Sequence, residues 1–233
     1  MSGNEVALIV GVGPGLGAAL ARRFSAAGLA VAVAARDLPA LTSLAAAIGP
    51  DVHAYRCDVT DEAQVEKLFQ SVQQDLGVPA VAIHNAGSYS CKSILESTKD
   101  DVEGCWRLTA LAGFFVGRAA ARLMVARGDG TILFTGATGS IRGSALFQNS
   151  AIGKFGLRAL AQSMARELQP RGVHVAHAII DGPINSERLR TMLSDRSPDS
   201  FLQPDDIAEA YYQRDGYRVN VFSNPLLSMA VAV

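Results

Sequence analysis

A serine and a lysine four residues apart form the first pair of side chains in this chain that could do chemistry together. Ser150 and Lys154 lie in the segment FQNSAIGKFG at positions 147–156, at the predicted start of a helix. A spacing of four places both on one helix face, one turn apart. An aliphatic hydroxyl is far less acidic than a phenol, whose pKa is ~10, so one neighbouring lysine should not bring the pKa of Ser150 near neutrality. Two interpretations therefore stay open. Ser150 is a catalytic hydroxyl, or Asn149 or Ser150 is the N-cap of the helix.

A glycine-rich turn near the N-terminus predicts a phosphate-binding site. The apolar run Val6–Val10 leads into GVGPGLG at positions 11–17, and a helical pattern follows at once. The first, third and fourth glycines suit a tight turn, close approach of a pyrophosphate and close helix–strand packing, while the helix N-terminus attracts phosphate. We predict a dinucleotide here, with a purely structural turn as the alternative. The predicted contacts are Gly11, Gly13, Pro14, Gly15, Leu16 and Gly17.

The end of the second predicted strand indicates which dinucleotide binds. An acidic residue there would bind a ribose 2′-hydroxyl, whereas an arginine accommodates a 2′-phosphate. The segment VAVAARD at positions 31–37 has alanine at the acidic position, followed by Arg36. A guanidinium pairs well with phosphate, so NADP(H) is favoured over NAD(H). The alternative is that Arg36 is a solvated loop residue, and Asp37 is a candidate cap for the next helix.

Short apolar runs alternate with longer helical patterns along the chain, which predicts an α/β fold. Alternation of this kind is typical of a doubly wound parallel sheet (Rossmann fold), here as a single domain over residues 1–233. The predicted strands are Val6–Val10, Ala30–Ala34, Val52–Cys57, Ala80–His84, Gly130–Phe134 and Val173–Ile179. The predicted helices are Gly17–Ala27, Leu38–Ile48, Glu62–Leu76, Lys99–Arg127 and Ala151–Gln169. Further on, residues 194–204 are predicted as a loop, 205–212 as a short helix and 217–222 as a possible last strand.

Composition points to a small-molecule substrate rather than to nucleic acid or a membrane. The formal net charge is −1, from 21 basic and 22 acidic residues. The apolar run Val6–Val10 ends at glycine and has no basic n-region, so no signal peptide is predicted, and the run Leu226–Val233 is too short to span a bilayer. Three scattered cysteines indicate a reducing, cytoplasmic setting. No metal site is predicted, because His174 and His177, three apart on a strand, point to opposite faces.

Several motifs, in order and spacing, make residues 5 to 186 resemble the short-chain dehydrogenase/reductase family. Besides the glycine turn, these are CDV at positions 57–59, HNAG at 84–87 and DGPINS at 181–186. The resemblance implies an NAD(P)-dependent oxidoreductase and a homodimer or homotetramer formed through the two long helices. Lys154 would bind the nicotinamide ribose. The other implied cofactor contacts are Asp58, Val59, Asn85, Ala86, Gly87, Gly182, Ile184 and Ser186.

The chain departs from the family pattern at three of the four catalytic positions. Ser150 stands where the family has its proton-donating tyrosine, and only Lys154 is kept. The expected serine aligns with Ala137, so that Thr138 is an off-by-one substitute, and the expected asparagine aligns with Ala110. The predicted catalytic residues are therefore Lys154, Ser150 and Thr138.

Two further side chains could supply a proton. Asp181 occupies the family's usual proline position, and Tyr89 follows the HNAG motif. The plainer interpretations are turn hydrogen bonds for Asp181 and a pocket wall for Tyr89. Two functions follow: an NADP(H)-dependent oxidoreductase with a non-standard proton donor, acting on a small carbonyl compound or alcohol, or a catalytically silent NADP(H)-binding sensor or scaffold. A protein that has also lost the cofactor is a third, disfavoured by the kept motifs.

Overall fold

The computed structural model describes residues 5–216 and 229–230, and these residues form one parallel sheet flanked by helices. The strand order is β3-β2-β1-β4-β5-β6-β7, so the order reverses between β1 and β4. The predicted doubly wound fold is confirmed, and its switch point lies where ligands bind in such sheets. The strands are β1 Val6–Val10, β2 Ala30–Ala35, β3 Val52–Arg56, β4 Val81–His84, β5 Gly130–Thr135, β6 Val173–Ile179 and β7 Met229–Ala230.

Helices cover both faces of the sheet, as the nearly unbroken apolar strands require. The helices are α1 Leu16–Ala26, α2 Leu38–Ile48, α3 Glu62–Asp75, α4 Lys99–Trp106, α5 Ala112–Arg127, α6 Gln148–Leu168, α7 Glu187–Met192 and α8 Pro204–Gly216. Alternate residues of β1 separate the two cores: Leu8 packs with α3, α5 and α6, and Ile9 packs with α1, α2 and α8.

The long helix predicted from Lys99 to Arg127 runs without a break, but residues Arg107–Leu111 form a π-helical turn between α4 and α5. Such turns often mark functional sites. Ala110, aligned with the family's asparagine, lies in this turn. By length and composition the whole helix could cross a membrane, but half of its most apolar window is buried in the fold, as in a core helix.

Beyond β6 the structure differs from the sequence prediction. A short helix, α7, begins at Glu187, and a 3-10 turn, Pro198–Ser200, interrupts the predicted loop. Helix α8 is longer than the predicted 205–212 and packs on α1 through an ion pair between Arg22 and Asp205 at 2.7 Å. The predicted strand 217–222 lies outside the described residues. Instead, Met229–Ala230 pairs with the end of β6.

Candidate active site

The glycine turn between β1 and α1 is shaped as an open cradle. Gly11 has a φ of 88°, and a Cβ there would lie 2.4 Å from the Ala86 nitrogen, so only glycine fits. A Cβ at Gly13 or Gly15 would meet nothing within 4 Å. Helix α1 begins without a side-chain cap, which leaves its first N–H groups for a ligand. The cradle therefore fits a pyrophosphate, which needs open space and helix N–H donors.

Asn85 ties the ends of three strands together beneath the cradle. Its side-chain amide donates to the Gly11 carbonyl at 3.0 Å, and its side-chain carbonyl accepts from the Thr135 hydroxyl at 3.1 Å. Buried Tyr211 of α8 donates to the same Thr135 hydroxyl at 3.0 Å. Asn85 thus fixes the shape of the carboxyl edge through protein contacts.

Arg36 and Asp58 stand at the ends of β2 and β3. Arg36 is exposed, and Asp37 caps α2 by accepting from the Ala40 nitrogen at 3.1 Å, as predicted for Asp37. Asp58 accepts from the hydroxyl and backbone nitrogen of Thr60 at 2.7 and 3.0 Å. These bonds, and to a lesser extent the charge of Arg36, lower the pKa of Asp58. Cation and carboxylate thus stand at the ends of two neighbouring strands. Val59, next to Asp58, is buried.

Lys154 places its side-chain amine at the carboxyl ends of the strands. Its Nζ donates to the Thr135 carbonyl at 2.7 Å, and burial lowers its pKa to about 8. A Cβ at Gly87 would lie 3.1 Å from this Nζ, so the glycine makes room for the amine. Gly153 lets the helix approach α4, since a Cβ there would lie 2.9 Å from the Cys105 carbonyl oxygen. A lysine has three donors, and one is used by Thr135.

Two buried histidines flank Lys154 and stay neutral. Burial, followed by the charge of Lys154, lowers the pKa of both His84 and His177 to about 3. The Nε2 of His84 lies 3.2 Å from the Thr109 carbonyl oxygen, which only accepts, so Nε2 carries the proton. Within the described part of the chain, no group of three or more His, Cys, Asp or Glu side chains could hold a metal ion.

Ser150 is not a helix cap, and its hydroxyl is engaged. Helix α6 begins at Gln148 after Phe147, without a side-chain cap, so the capping prediction for Asn149 or Ser150 is wrong. The Ser150 hydroxyl accepts from the Ser90 nitrogen at 2.9 Å and donates to the Ser90 carbonyl at 3.4 Å. Asn149 is fully buried, and its amide donates to the Ser90 hydroxyl at 3.2 Å. Both residues therefore fasten the segment after β4 to α6.

Tyr89, in the same segment, is half exposed and packs edge-on against Phe147, with ring centroids 5.4 Å apart. A pocket wall therefore stays a prediction for Tyr89.

Thr138 and Asp181 follow the neighbouring strands β5 and β6, and their side chains are hydrogen-bonded to each other. The Thr138 hydroxyl donates to Asp181 Oδ1 at 2.5 Å, and Arg142 Nη2 lies 3.6 Å from the same oxygen. The sequence favoured hydrogen bonds within the Asp181 turn. The structure instead bonds the Asp181 side chain to Thr138, in the connection after β5. The partners are 43 residues apart in sequence, and no local pattern signals the pair.

The segment from Gly182 to Ser186 is shaped by the chain that returns beside it. A Cβ at Gly182 would lie 3.1 Å from Leu202 Cδ1, and Ile184 bridges to Leu202. The Ser186 hydroxyl accepts from the Leu189 nitrogen at 3.3 Å and caps α7. Sequence reasoning missed this cap, although a serine followed by Glu187 is an N-terminal helix signal.

A parallel sheet with an open glycine cradle at its switch point defines a nucleotide-binding protein of the Rossmann type. Residues 5–197 match the sequence model of the short chain dehydrogenase family. Galactitol 2-dehydrogenase of Agrobacterium fabrum is 31% identical over 185 residues, which are 79% of this chain and 72% of the relative. A short-chain dehydrogenase from Rhodopseudomonas palustris superimposes with a TM-score of 0.81 at 34% identity, covering 99% of each chain.

The chain therefore belongs to the short-chain dehydrogenase/reductase family of oxidoreductases. An actinorhodin polyketide ketoreductase crystallised with NADPH shares the fold, with a TM-score of 0.87 at 23% identity over 98% of this chain and 96% of that one.

Proposed function

We propose that this protein is an NADP(H)-dependent oxidoreductase that acts on a small carbonyl compound or alcohol and uses a proton donor other than a tyrosine. The observation that carries the proposal is the amine of the partly buried Lys154, held at the same sheet edge as the open glycine cradle. Burying an ammonium is unfavourable, and perturbed groups of this kind concentrate at functional sites.

The residues at the sheet edge fit the cofactor part by part. Gly13, Gly15 and the start of α1 would hold the pyrophosphate, and Asp58 would accept from the adenine amino group. Arg36 would pair with the 2′-phosphate, since Asp37 is occupied as a helix cap and Ala35 ends β2. The two remaining N–H donors of Lys154 would bind the nicotinamide ribose. When bound, NADP(H) supplies or accepts the hydride.

Ser150 does not supply the proton in this proposal. Its hydroxyl both accepts from and donates to the Ser90 backbone, and an aliphatic hydroxyl is too weakly acidic for a direct replacement of a phenol. The proton must come from another group at the same edge.

A turnover screen tests the proposed activity. NADPH oxidation would be followed with aldehydes, ketones and quinones, and NADP⁺ reduction with primary and secondary alcohols. We expect turnover in the wild type, comparable turnover in Ser150→Ala, and a loss of at least 100-fold in Lys154→Met. Tight NADPH binding without turnover across the whole panel would contradict the oxidoreductase.

That contrary outcome would favour the second candidate, a catalytically silent NADP(H)-binding sensor or scaffold. The specific observation behind it is that Ser150 is fastened to Ser90, while Ala110 and Ala137 stand at two other catalytic positions. A Ser150→Tyr variant would not restore a phenol directly, because the larger side chain has to displace the segment that carries Ser90.

A homodimer or homotetramer through the long helices is part of the proposal. Trp106, Phe114, Ile152 and Phe155 are large apolar side chains exposed on α4, α5 and α6. Exposed apolar patches of this kind mark interaction surfaces. Light scattering after size exclusion should give a multiple of the chain mass for wild type and for Leu95→Glu, whose exposed leucine lies on a loop, and monomer for Phe155→Glu. We place the protein in the cytoplasm, as its free cysteines suggested.

A further inference from the structure

The hydrogen bond between Thr138 and Asp181 brings a hydroxyl and a carboxylate together at the carboxyl edge of the sheet. The oxygens lie 2.5 Å apart, within the range of a strong O–H···O⁻ bond. The Asp181 side chain is 29% exposed, so solvent reaches the carboxylate. Arg142 Nη2 lies 3.6 Å from the same oxygen.

The turn that carries Thr138 packs against the helix that carries Lys154. Thr138 opens a 3-10 turn that packs on α6, because a Cβ at Gly139 would lie 3.6 Å from the Ala151 Cα and 3.9 Å from the Lys154 Cβ. Lys154 itself donates to Thr135, the last residue of β5, three positions before Thr138. Hydroxyl, carboxylate and ammonium therefore share the carboxyl edge of β5 and β6.

The donors and acceptors of this pair set its direction. An ionised carboxylate only accepts, so the Thr138 proton must point at Asp181. The Thr138 oxygen then presents lone pairs, which can accept a hydrogen bond from a substrate hydroxyl. It cannot donate to a ketone oxygen while Asp181 is ionised. The neighbouring hydroxyls are engaged elsewhere: Ser150 with the Ser90 backbone, and Ser140 with the Ala137 nitrogen at 3.1 Å.

We infer that Thr138 and Asp181 form a proton-accepting pair and that the substrate of this site is an alcohol, which the protein oxidises. The inference rests on the proposed function, which supplies NADP⁺ as the oxidant. The alcohol's C–H bond breaks with transfer of its hydride to NADP⁺, and the C=O bond of an aldehyde or ketone forms. The hydroxyl proton passes to Thr138 Oγ1 as the Thr138 proton passes to Asp181 Oδ1. Asp181 then releases it to water through its exposed side.

Thr138 touches the substrate in this account, whereas Asp181 acts through Thr138. The two roles separate by substitution. Asp181→Asn keeps an oxygen that accepts the Thr138 proton but cannot take it up, while Asp181→Ala removes the acceptor. Thr138→Val removes the hydroxyl at nearly constant volume, and Thr138→Ser restores it. Ser150→Ala is the matched control, since it removes a nearby hydroxyl that the inference leaves out of the reaction.

The first readout is the Thr138 hydroxyl proton in ligand-free protein. In protein labelled with ¹³C-threonine, NMR should show a slowly exchanging hydroxyl proton correlated with the Thr138 Cβ. We expect this signal to persist in Asp181→Asn and Ser150→Ala and to disappear in Asp181→Ala. Absence of the signal in the wild type would overturn the inference, whatever the enzyme assays give.

The second readout is turnover in both directions. We expect NADP⁺-dependent oxidation of a primary or secondary alcohol, with kcat lowered at least 100-fold in Thr138→Val and Asp181→Asn, as for loss of a general base. Thr138→Ser should stay within 10-fold of wild type, and the Kd for NADPH should be unchanged in every variant. Retention of kcat within 3-fold in Thr138→Val, or reduction of ketones without oxidation of any alcohol, would overturn the inference alone. Absence of NADPH binding in the wild type would overturn the proposed function, and the inference with it.

Discussion

Replacing Lys154 with methionine should change how the stability of the ligand-free protein depends on pH. Burial lowers the pKa of Lys154 from 10.5 to about 8. Between these values the unfolded chain binds more protons than the folded one, so stability from this residue rises with pH across that window and is lost again as pH falls towards 8. At ~1.4 kcal/mol for each pKa unit, the wild type should gain about 2.5 kcal/mol from this residue between pH 7 and pH 10.

Urea unfolding of wild type and Lys154→Met at both pH values measures this effect. The difference in unfolding free energy between the two proteins should shift by about 2.5 kcal/mol between pH 7 and pH 10, in favour of the wild type at high pH. Packing differences between lysine and methionine cancel in this comparison, as do other titrating groups. Lys99→Met is the control, because the Lys99 side chain is 88% exposed, and its difference from wild type should not move with pH. A shift below about 0.5 kcal/mol for Lys154→Met would refute a desolvated ammonium at the site.

Three other perturbations separate structure from function. Gly11→Ala should destabilise the fold by at least ~2 kcal/mol, because Gly11 has a positive φ and a Cβ there would contact backbone. Gly15→Ala should leave the free energy of unfolding unchanged and weaken NADPH binding. Equal effects of the two variants on stability would contradict the open cradle. Ser150→Ala should speed hydrogen exchange at the Ser90 amide and leave kcat within ~3-fold, since a general acid would contribute far more; a collapse of turnover would restore Ser150 as the acid. As pH falls from ~6.5 towards their pKa of about 3, His84 and His177 should each cost the wild type ~1.4 kcal/mol of stability per pH unit, so His84→Gln should reduce the slope in urea titrations by that amount; parallel curves would contradict a neutral buried imidazole.

Elements with strong local signals were predictable from the sequence. Strand β1 matches its predicted bounds because an uninterrupted apolar run defines it, and β6 matches although His174 and His177 interrupt its apolar run. Helix α2 also matches, since Asp37 before it and Gly49 after it are typical cap residues. Other boundaries moved by a few residues: β3 ends at Arg56 rather than at position 57, and α6 begins three residues before its predicted start.

The candidate site was predictable only where one segment carries the information. The glycine cradle depends on a single strand–turn–helix unit, and its form follows from the residues of that unit. The role of Ser150 depends on Ser90, which lies 60 residues away, and Thr138 depends on Asp181 in the same manner. Spacing alone placed Ser150 beside Lys154, but only the tertiary fold shows that its hydroxyl is already engaged.

The most direct test of the proposed cofactor site is a parallel calorimetric titration of the ligand-free protein with NADPH and NADH. We predict one NADPH per chain, bound at least 10-fold more tightly than NADH. Arg36→Gln should remove that preference, while Arg171→Gln, an exposed arginine just before the start of β6, should keep it. Heat of binding from neither dinucleotide would contradict the account.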